Sequence, residues 1–188
     1  MRYIRKAFSV NDFSLSPGQH VVLLITPGQS PIARTVYELF RAAERPFTSN
    51  IEARLIDAEE PVDIIAAEER AVRRAGEDVV MISSSLEENL LELLTALMKG
   101  YDPSLSLPLR RAGRITLFRP FSLVPLMDLY AYAAARGEVE ATRPKYLYEE
   151  LLEVTVTGPE LAYSYKRVLR LLGNVRARGE SVYQGRAG

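Results

Sequence analysis

Eight consecutive residues, GQSPIART from Gly28 to Thr35, have the spacing of a loop that binds phosphate. Such a loop reads G-x-x-x-x-G-K-[ST]: its backbone N–H groups wrap the phosphates, its lysine reaches the terminal phosphates and its hydroxyl binds magnesium. Here Ala33 adds a methyl group where the backbone must come close to the ligand. Arg34 keeps the charge but not the compact ammonium, and Pro31 removes one N–H group. The stretch therefore predicts the frame of a phosphate loop with degenerate chemistry.

Hydrolysis of a nucleotide also requires an acid at the end of a buried strand to hold magnesium. The apolar run DVVMI is followed only by serines, and Asp57, after IEARLI, is the best placed carboxylate. Asp57 also fits an ordinary acid at a helix N-terminus, and the loop also fits a tight turn. We predict no catalytic and no resident metal residue. ATP or another nucleotide is the candidate ligand, in a pocket lined by Gly28, Gln29, Ser30, Arg34, Thr35, Asp57 and Ser83. In that pocket Arg34 would contact phosphate, and Thr35 and Asp57 would face a metal if one bound.

Other site chemistries find little support in the sequence. There is no cysteine, and the single histidine, His20, precedes the first predicted strand, so no metal cluster can be built around it. No G-x-S-x-G motif accompanies the serines at 83–85, which argues against a serine hydrolase. Arg110, Arg111 and Arg114 form a basic cluster that fits either contacts with nucleic-acid phosphates or a solvated surface.

The pattern of apolar residues predicts alternating strands and helices. Strands are expected at 21–25, 51–56, 78–82, 114–118 and 151–157, and helices at 31–45, 62–75, 86–99, 123–136 and 160–172. Ser30 is the expected N-cap of the first helix, with Pro31 at its first position, and Ser85 with Glu88 forms a capping box before another. Residues 1–15 are predicted as an edge strand or an arm over the core. The order predicts an α/β fold with three α/β/α layers and a mainly parallel sheet of about five strands.

Four polar turns should meet at the carboxyl ends of these strands, where open α/β sheets bind ligands. They are the turns at 26–30, 57–61, 83–85 and 119–122. The candidate pocket therefore combines residues that are distant in the chain.

Size and charge narrow the class of protein. The 188 residues are 47% hydrophobic and 26% charged, with 24 basic and 24 acidic residues. These values predict one soluble domain at 1–175 with a flexible tail at 176–188, a cytoplasmic location and no global attraction to nucleic acid or membranes. No apolar run approaches the roughly 20 residues that span a bilayer. The excess of arginine over lysine points weakly to a thermophile.

Several segments resemble RecA-like ATPases of the KaiC type. They are SPGQH before the first strand, DVVMISSSLEENLLELLTALMKGYDP, RITLFRP, and RARG near the end. The resemblance covers most of the chain and implies a RecA-like fold, which binds ATP in active members and often assembles side by side. With the degenerate loop, it implies an inactivated, non-catalytic regulatory or scaffold subunit. Its partners would be further copies of itself, as a homo-oligomer, or an active ATPase paralogue.

Two alternatives remain open at this point. One is a Rossmann-like sensor of the CRISPR-associated type, which also has a serine-containing loop after its first strand and binds cyclic oligonucleotides as a dimer. The other is a weak ATPase that uses Arg34 in place of the lysine.

Overall fold

The computed structural model describes residues 2–44, 50–56, 64–102, 106–112 and 114–139. Within them are five strands, which helices separate except between the fourth and the fifth. In chain order these are α1 (Arg2–Val10), β1 (His20–Ile25), a 3₁₀ helix (Pro27–Ile32), α2 (Ala33–Glu44), β2 (Asn50–Leu55), α3 (Ile64–Ala75), β3 (Val79–Ile82), α4 (Leu86–Lys99), β4 (Leu109–Ala112), β5 (Ile115–Phe118) and α5 (Leu126–Ala135).

The strands form one sheet in the order β2-β1-β3-β5-β4. Neighbouring strands are parallel except β4, which runs antiparallel to β5. The prediction of an α/β fold with a mainly parallel five-stranded sheet is confirmed. The fifth strand differs, because β4 lies in a segment for which neither a strand nor a helix was predicted. The predicted strand at 151–157 and helix at 160–172 lie outside the described residues.

Apolar side chains cover both faces of the sheet. Along β1, Val21, Leu23 and Ile25 belong to a cluster that includes α1, α2 and α5, whereas Val22 and Leu24 belong to a second cluster with α3. Because successive residues of a strand point to opposite faces, this division follows from β1 being apolar at every position from Val21 to Ile25. The central strand is therefore buried on both sides, as the run VVLLI predicts.

The N-terminal segment is a helix, so the prediction of a strand there is wrong. Ile4 and Ala7 are buried on the side of α1 that faces the core, a spacing of three residues that fits a helix and not a strand. The rings of Phe8 and Phe13 each lie 4.7 Å from the ring of Phe118, measured between centroids. The segment does lie over the core, as the alternative of an arm predicted.

The start of α2 is also corrected. The predicted N-cap, Ser30, lies inside a 3₁₀ helix whose own N-cap is Thr26, and the α-helix begins at Ala33. Pro31 has no N–H group to donate, so the turn is closed by bonds to the third residue back, such as Ala33 N–H to the carbonyl of Ser30. In contrast, the capping box of Ser85 and Glu88 on α4 is confirmed.

None of the helices in the described ranges combines the length and apolar character needed to cross a bilayer.

The three turns after β1, β3 and β5 lie together at the carboxyl edge of the sheet, as predicted for parallel strands.

Candidate functional site

The loop after β1 does not form the concave ring of N–H groups that binds phosphate. None of the residues from 26 to 32 has a positive φ, whereas such a nest requires alternating right-handed and left-handed residues. The loop winds into the 3₁₀ helix instead, with Gln29 N–H donating to the carbonyl of Thr26 at 2.9 Å. The carbonyl of Gly28 accepts a hydrogen bond from the Tyr130 hydroxyl at 2.9 Å.

Gln29 points into the protein and fills the space at the strand ends. Its side chain is buried, and Nε2 donates to the carbonyl of Ser83 at 2.6 Å and to Glu88 Oε2 at 2.8 Å. Thr26 N–H donates to the Ser83 hydroxyl at 3.1 Å. The structure therefore brings Gln29 and Ser83 together, as predicted, but as partners of each other beneath the surface.

A carboxylate occupies the N-terminus of α2, where a phosphate would lie. Glu138 Oε1 accepts from Arg34 N–H at 3.1 Å, and Glu138 Oε2 accepts from Thr35 N–H at 2.9 Å. The first N–H groups of a helix have no partner within the helix and carry partial positive charge, so an anion is favoured there. In this protein the anion is supplied by the segment that follows α5.

Arg34 extends away from the sheet edge. Its side chain is 79% exposed, and Nε lies 3.0 Å from Glu38 Oε1 one helical turn later. The hydrogen bond from Arg34 lowers the pKa of Glu38, burial opposes this, and Arg136, which also pairs with Glu38, adds to it. The guanidinium is thus engaged along the surface of α2.

The remaining predicted pocket residues do not form one site. The Thr35 hydroxyl is buried and has no hydrogen-bond partner among the described residues. Ser30 is exposed, and Asp57 lies outside the described residues. In the part of the chain that the structure describes, no group of three or more acidic or histidine side chains has a metal-binding arrangement.

The strongest polar cluster at this edge is centred on Arg119, which directly follows β5. The side chains of Arg119, Glu68 and Glu92 are 6% exposed or less. Arg119 donates to both oxygens of Glu68, at 3.2 and 2.7 Å, and to Glu92 Oε1 at 3.1 Å. Glu92 Oε2 also lies 2.9 Å from Nη2, without the alignment of a hydrogen bond. Arg119 also donates to the Ser84 hydroxyl at 2.7 Å.

One buried guanidinium therefore faces two carboxyl groups. Burial raises the pKa of Glu92 well above its ordinary value; Arg119 opposes the rise, and the nearby Glu68 carboxyl adds to it. Burial also raises the pKa of Glu88, against the hydrogen bonds from Ser85 N–H and the Gln29 amide. The buried cluster links α3, α4 and the end of β5.

Sequence reasoning missed Glu138, Glu68, Glu92 and the role of Arg119. The turn at 119–122 was predicted to lie at this edge, and that is its position. In a sequence, however, a buried arginine and the carboxylates that pair with it cannot be distinguished from charged residues on the surface. Glu138 gives no local signal, since its partners precede it by more than 100 residues.

The three arginines predicted to contact nucleic acid do not share a face. Arg110 and Arg111 are consecutive on β4, so their side chains point to opposite sides of the sheet. Arg114 is exposed, with Nε 3.7 Å from Asp78 Oδ1. A contact with nucleic acid stays a prediction.

No protein-family model and no curated protein sequence matches this chain.

Proposed function

We propose that this chain is a non-catalytic RecA/KaiC-like domain with a degenerate nucleotide site, which acts as a regulatory or scaffold subunit. The observation that carries the proposal is the Glu138 carboxylate at the N-terminus of α2, bonded to the N–H groups of Arg34 and Thr35. A nucleotide phosphate would have to displace this carboxylate and would meet its charge.

Three further features support the loss of activity. Phosphoryl transfer requires a cradle of N–H groups, a free cation and an acid that holds magnesium. The loop after β1 is a 3₁₀ helix, Arg34 is paired with Glu38, and the residues directly after β3 are the buried Ser83 and Ser84. In each of the three places, residues that bond within the protein stand where phosphoryl transfer would need the N–H cradle, the free cation or the acid.

The proposal includes a three-layer RecA-like architecture. Apolar clusters on both faces of the sheet, one with α1, α2 and α5 and the other with α3, support the layers. The resemblance of SPGQH and of the segment from DVVMI to GYDP supports the family. Such domains commonly act through association, so we propose a homo-oligomer or an active ATPase paralogue as partner.

Thermal unfolding with and without Mg-ATP tests this proposal. A ligand at 100 times its Kd stabilises the folded state by about 2.7 kcal/mol, which is roughly 5–10 °C for a protein of this size. We expect no shift with ATP at millimolar concentration. A shift of several degrees that Arg34→Ala abolishes would instead show that ATP binds through Arg34, and phosphate release abolished by the same variant would establish the weak ATPase that uses Arg34.

A second candidate is the Rossmann-like sensor of cyclic oligonucleotides. The parallel strands follow the order β2-β1-β3-β5, which numbered among parallel strands alone is 2-1-3-4. That is the beginning of the flavodoxin-like doubly wound order, whose ligands bind where the order reverses, between the first and third strands. A cyclic oligoadenylate in the same unfolding experiment separates the two candidates, because the sensor predicts stabilisation by this ligand and not by Mg-ATP.

A further inference from the structure

Strand β2 has one free edge in the described sheet. It lies at the end of the strand order and pairs only with β1 among the described strands. Leu55 is 59% exposed, and Ala53 is also exposed. An exposed strand edge is a template for pairing with another chain.

The backbone groups that face this edge follow from the bonds to β1. Asn50 N–H donates to the carbonyl of Gln19 at 3.0 Å, and Ile56 N–H donates to the carbonyl of Ile25 at 2.8 Å. Since these groups alternate along a strand, even-numbered residues of β2 bond to β1. The N–H and C=O groups of Ile51, Ala53 and Leu55 therefore point to the open edge.

We propose that β2 pairs antiparallel with β2 of a second copy, about a two-fold axis at Ala53. The two five-stranded sheets would then become one continuous sheet. Ile51 would lie opposite Leu55 of the second copy, and Ala53 opposite its own equivalent. All three are residues whose backbone groups face the edge, so each of these pairs exchanges two hydrogen bonds.

The charges of β2 select this register. Glu52 and Arg54 form an ion pair within the strand, with Arg54 Nε 2.6 Å from Glu52 Oε1. In the proposed dimer Glu52 lies opposite Arg54 of the second copy, in the closer type of antiparallel pair. A slip by two residues in one direction places Glu52 opposite Glu52, and in the other direction Arg54 opposite Arg54. Like charges directly opposite are unfavourable, so the sequence NIEARL is self-complementary in one register.

This inference specifies the self-association in the proposed function, and it does not depend on whether a nucleotide binds. Mg-ATP binding is therefore measured separately on the dimeric and monomeric proteins. If the protein does not dimerise, the measured binding of Mg-ATP still tests the proposed function. If Mg-ATP does bind, the measured association state still tests the dimer.

Sedimentation velocity of the full chain at tens of micromolar tests the dimer. The unmodified protein should sediment as a dimer and Ala53→Pro as a monomer, because proline lacks the N–H group at the two-fold axis. That group does not bond to β1, so thermal unfolding of the variant should show an intact fold. A monomeric unmodified protein, as would follow if the segment at 151–157 covered this edge, or a dimeric Ala53→Pro, would overturn the proposal.

A charge exchange tests the register without proline. Glu52→Arg and Arg54→Glu should each be monomeric, because each places like charges opposite one another. Mixed in equal amounts, they should form a dimer containing one copy of each. Arg73→Glu, which breaks an exposed ion pair on α3, is the matched control and should remain dimeric. The proposal would be overturned if either folded variant formed a dimer by itself. It would also be overturned if the two folded variants stayed monomeric after mixing.

Discussion

Arg119 is the residue on which the carboxyl edge of the sheet most depends. It joins Glu68 of α3 and Glu92 of α4 to the end of β5, and all three side chains are almost fully buried. Removal of one partner from such a group leaves a charge without compensation in a site of low polarity.

Arg119→Met is expected to lower the free energy of unfolding by about 3–5 kcal/mol, because two carboxyl groups lose their only guanidinium partner among the described contacts. Urea unfolding measures the loss. Arg73→Met, at an exposed pair with Glu69, should change stability by less than about 0.5 kcal/mol. Equal effects of the two variants would contradict the structural role of Arg119.

Glu92 makes stability depend on pH. Its pKa is raised in the folded state by burial, so between its unfolded value, about 4.5, and its higher folded value the folded protein binds more protons than the unfolded chain. The free energy of unfolding must then fall as the pH rises through that window. Glu88, whose pKa is also raised by burial, acts in the same direction. Glu38 and Glu52, whose pKa values are lowered by arginine, act only at lower pH.

We expect Glu92→Gln to reduce this decline at pH values above the ordinary pKa of a glutamate, because a neutral amide cannot lose a proton. Urea unfolding at a series of pH values gives the slope for each protein. Glu69→Gln removes an exposed carboxylate of α3 and should keep the slope of the unmodified protein. An unchanged slope in Glu92→Gln would show that this carboxyl does not hold the proton.

Helix N-termini in this protein are stabilised by glutamates. Besides the capping box on α4, Glu138 accepts from the first N–H groups of α2, and Glu87 accepts from Leu126 N–H at the start of α5 at 2.8 Å. Burial raises the pKa of Glu87, and the hydrogen bond from Leu126 opposes the rise. At α2, the Glu138 side chain therefore occupies the position in which a phosphate loop binds its ligand.

Glu138→Ala should lower the free energy of unfolding by about 0.5–2 kcal/mol, the usual cost of removing an N-terminal cap. Glu138→Gln keeps one carbonyl oxygen and should lose less. Chemical unfolding measures both. Glu69→Ala, which removes an exposed i,i+4 pair, is the control and should cost at most about 0.5 kcal/mol. No loss in Glu138→Ala would mean that the carboxylate does not stabilise α2.

The local elements of the fold could largely be predicted from the sequence. Uniformly apolar runs predicted β1 and β3, and the spacing of Ser85 and Glu88 predicted the start of α4. The 3₁₀ helix was missed because Ser30 and Pro31 have the usual chemistry of an α-helix start. The N-terminal helix could not be predicted because a helix of nine residues carries too few apolar positions to distinguish it from a strand.

In the whole molecule, the contacts at the candidate site join distant parts of the chain. The sequence predicted that Gln29 and Ser83 lie at the same edge of the sheet, because the parallel strands that precede them end there. It did not show that the Gln29 side chain donates to the backbone carbonyl of Ser83, nor that Glu138 reaches α2, since no local pattern specifies either contact. The stretch from Gly28 to Thr35 therefore predicted a helix after β1, but it predicted neither the 3₁₀ helix before α2 nor the contacts of this loop with residues elsewhere.

The most direct test of the account is a titration of the isotope-labelled protein with Mg-ATP, followed through the backbone amide signals of Gly28, Gln29, Ser30, Arg34 and Thr35. With Glu138 bound to the N-terminus of α2, we predict no saturable change in these signals up to several millimolar ligand. Saturable shifts of these amides with a Kd below about 1 mM, a binding free energy stronger than about −4.1 kcal/mol, would contradict the account.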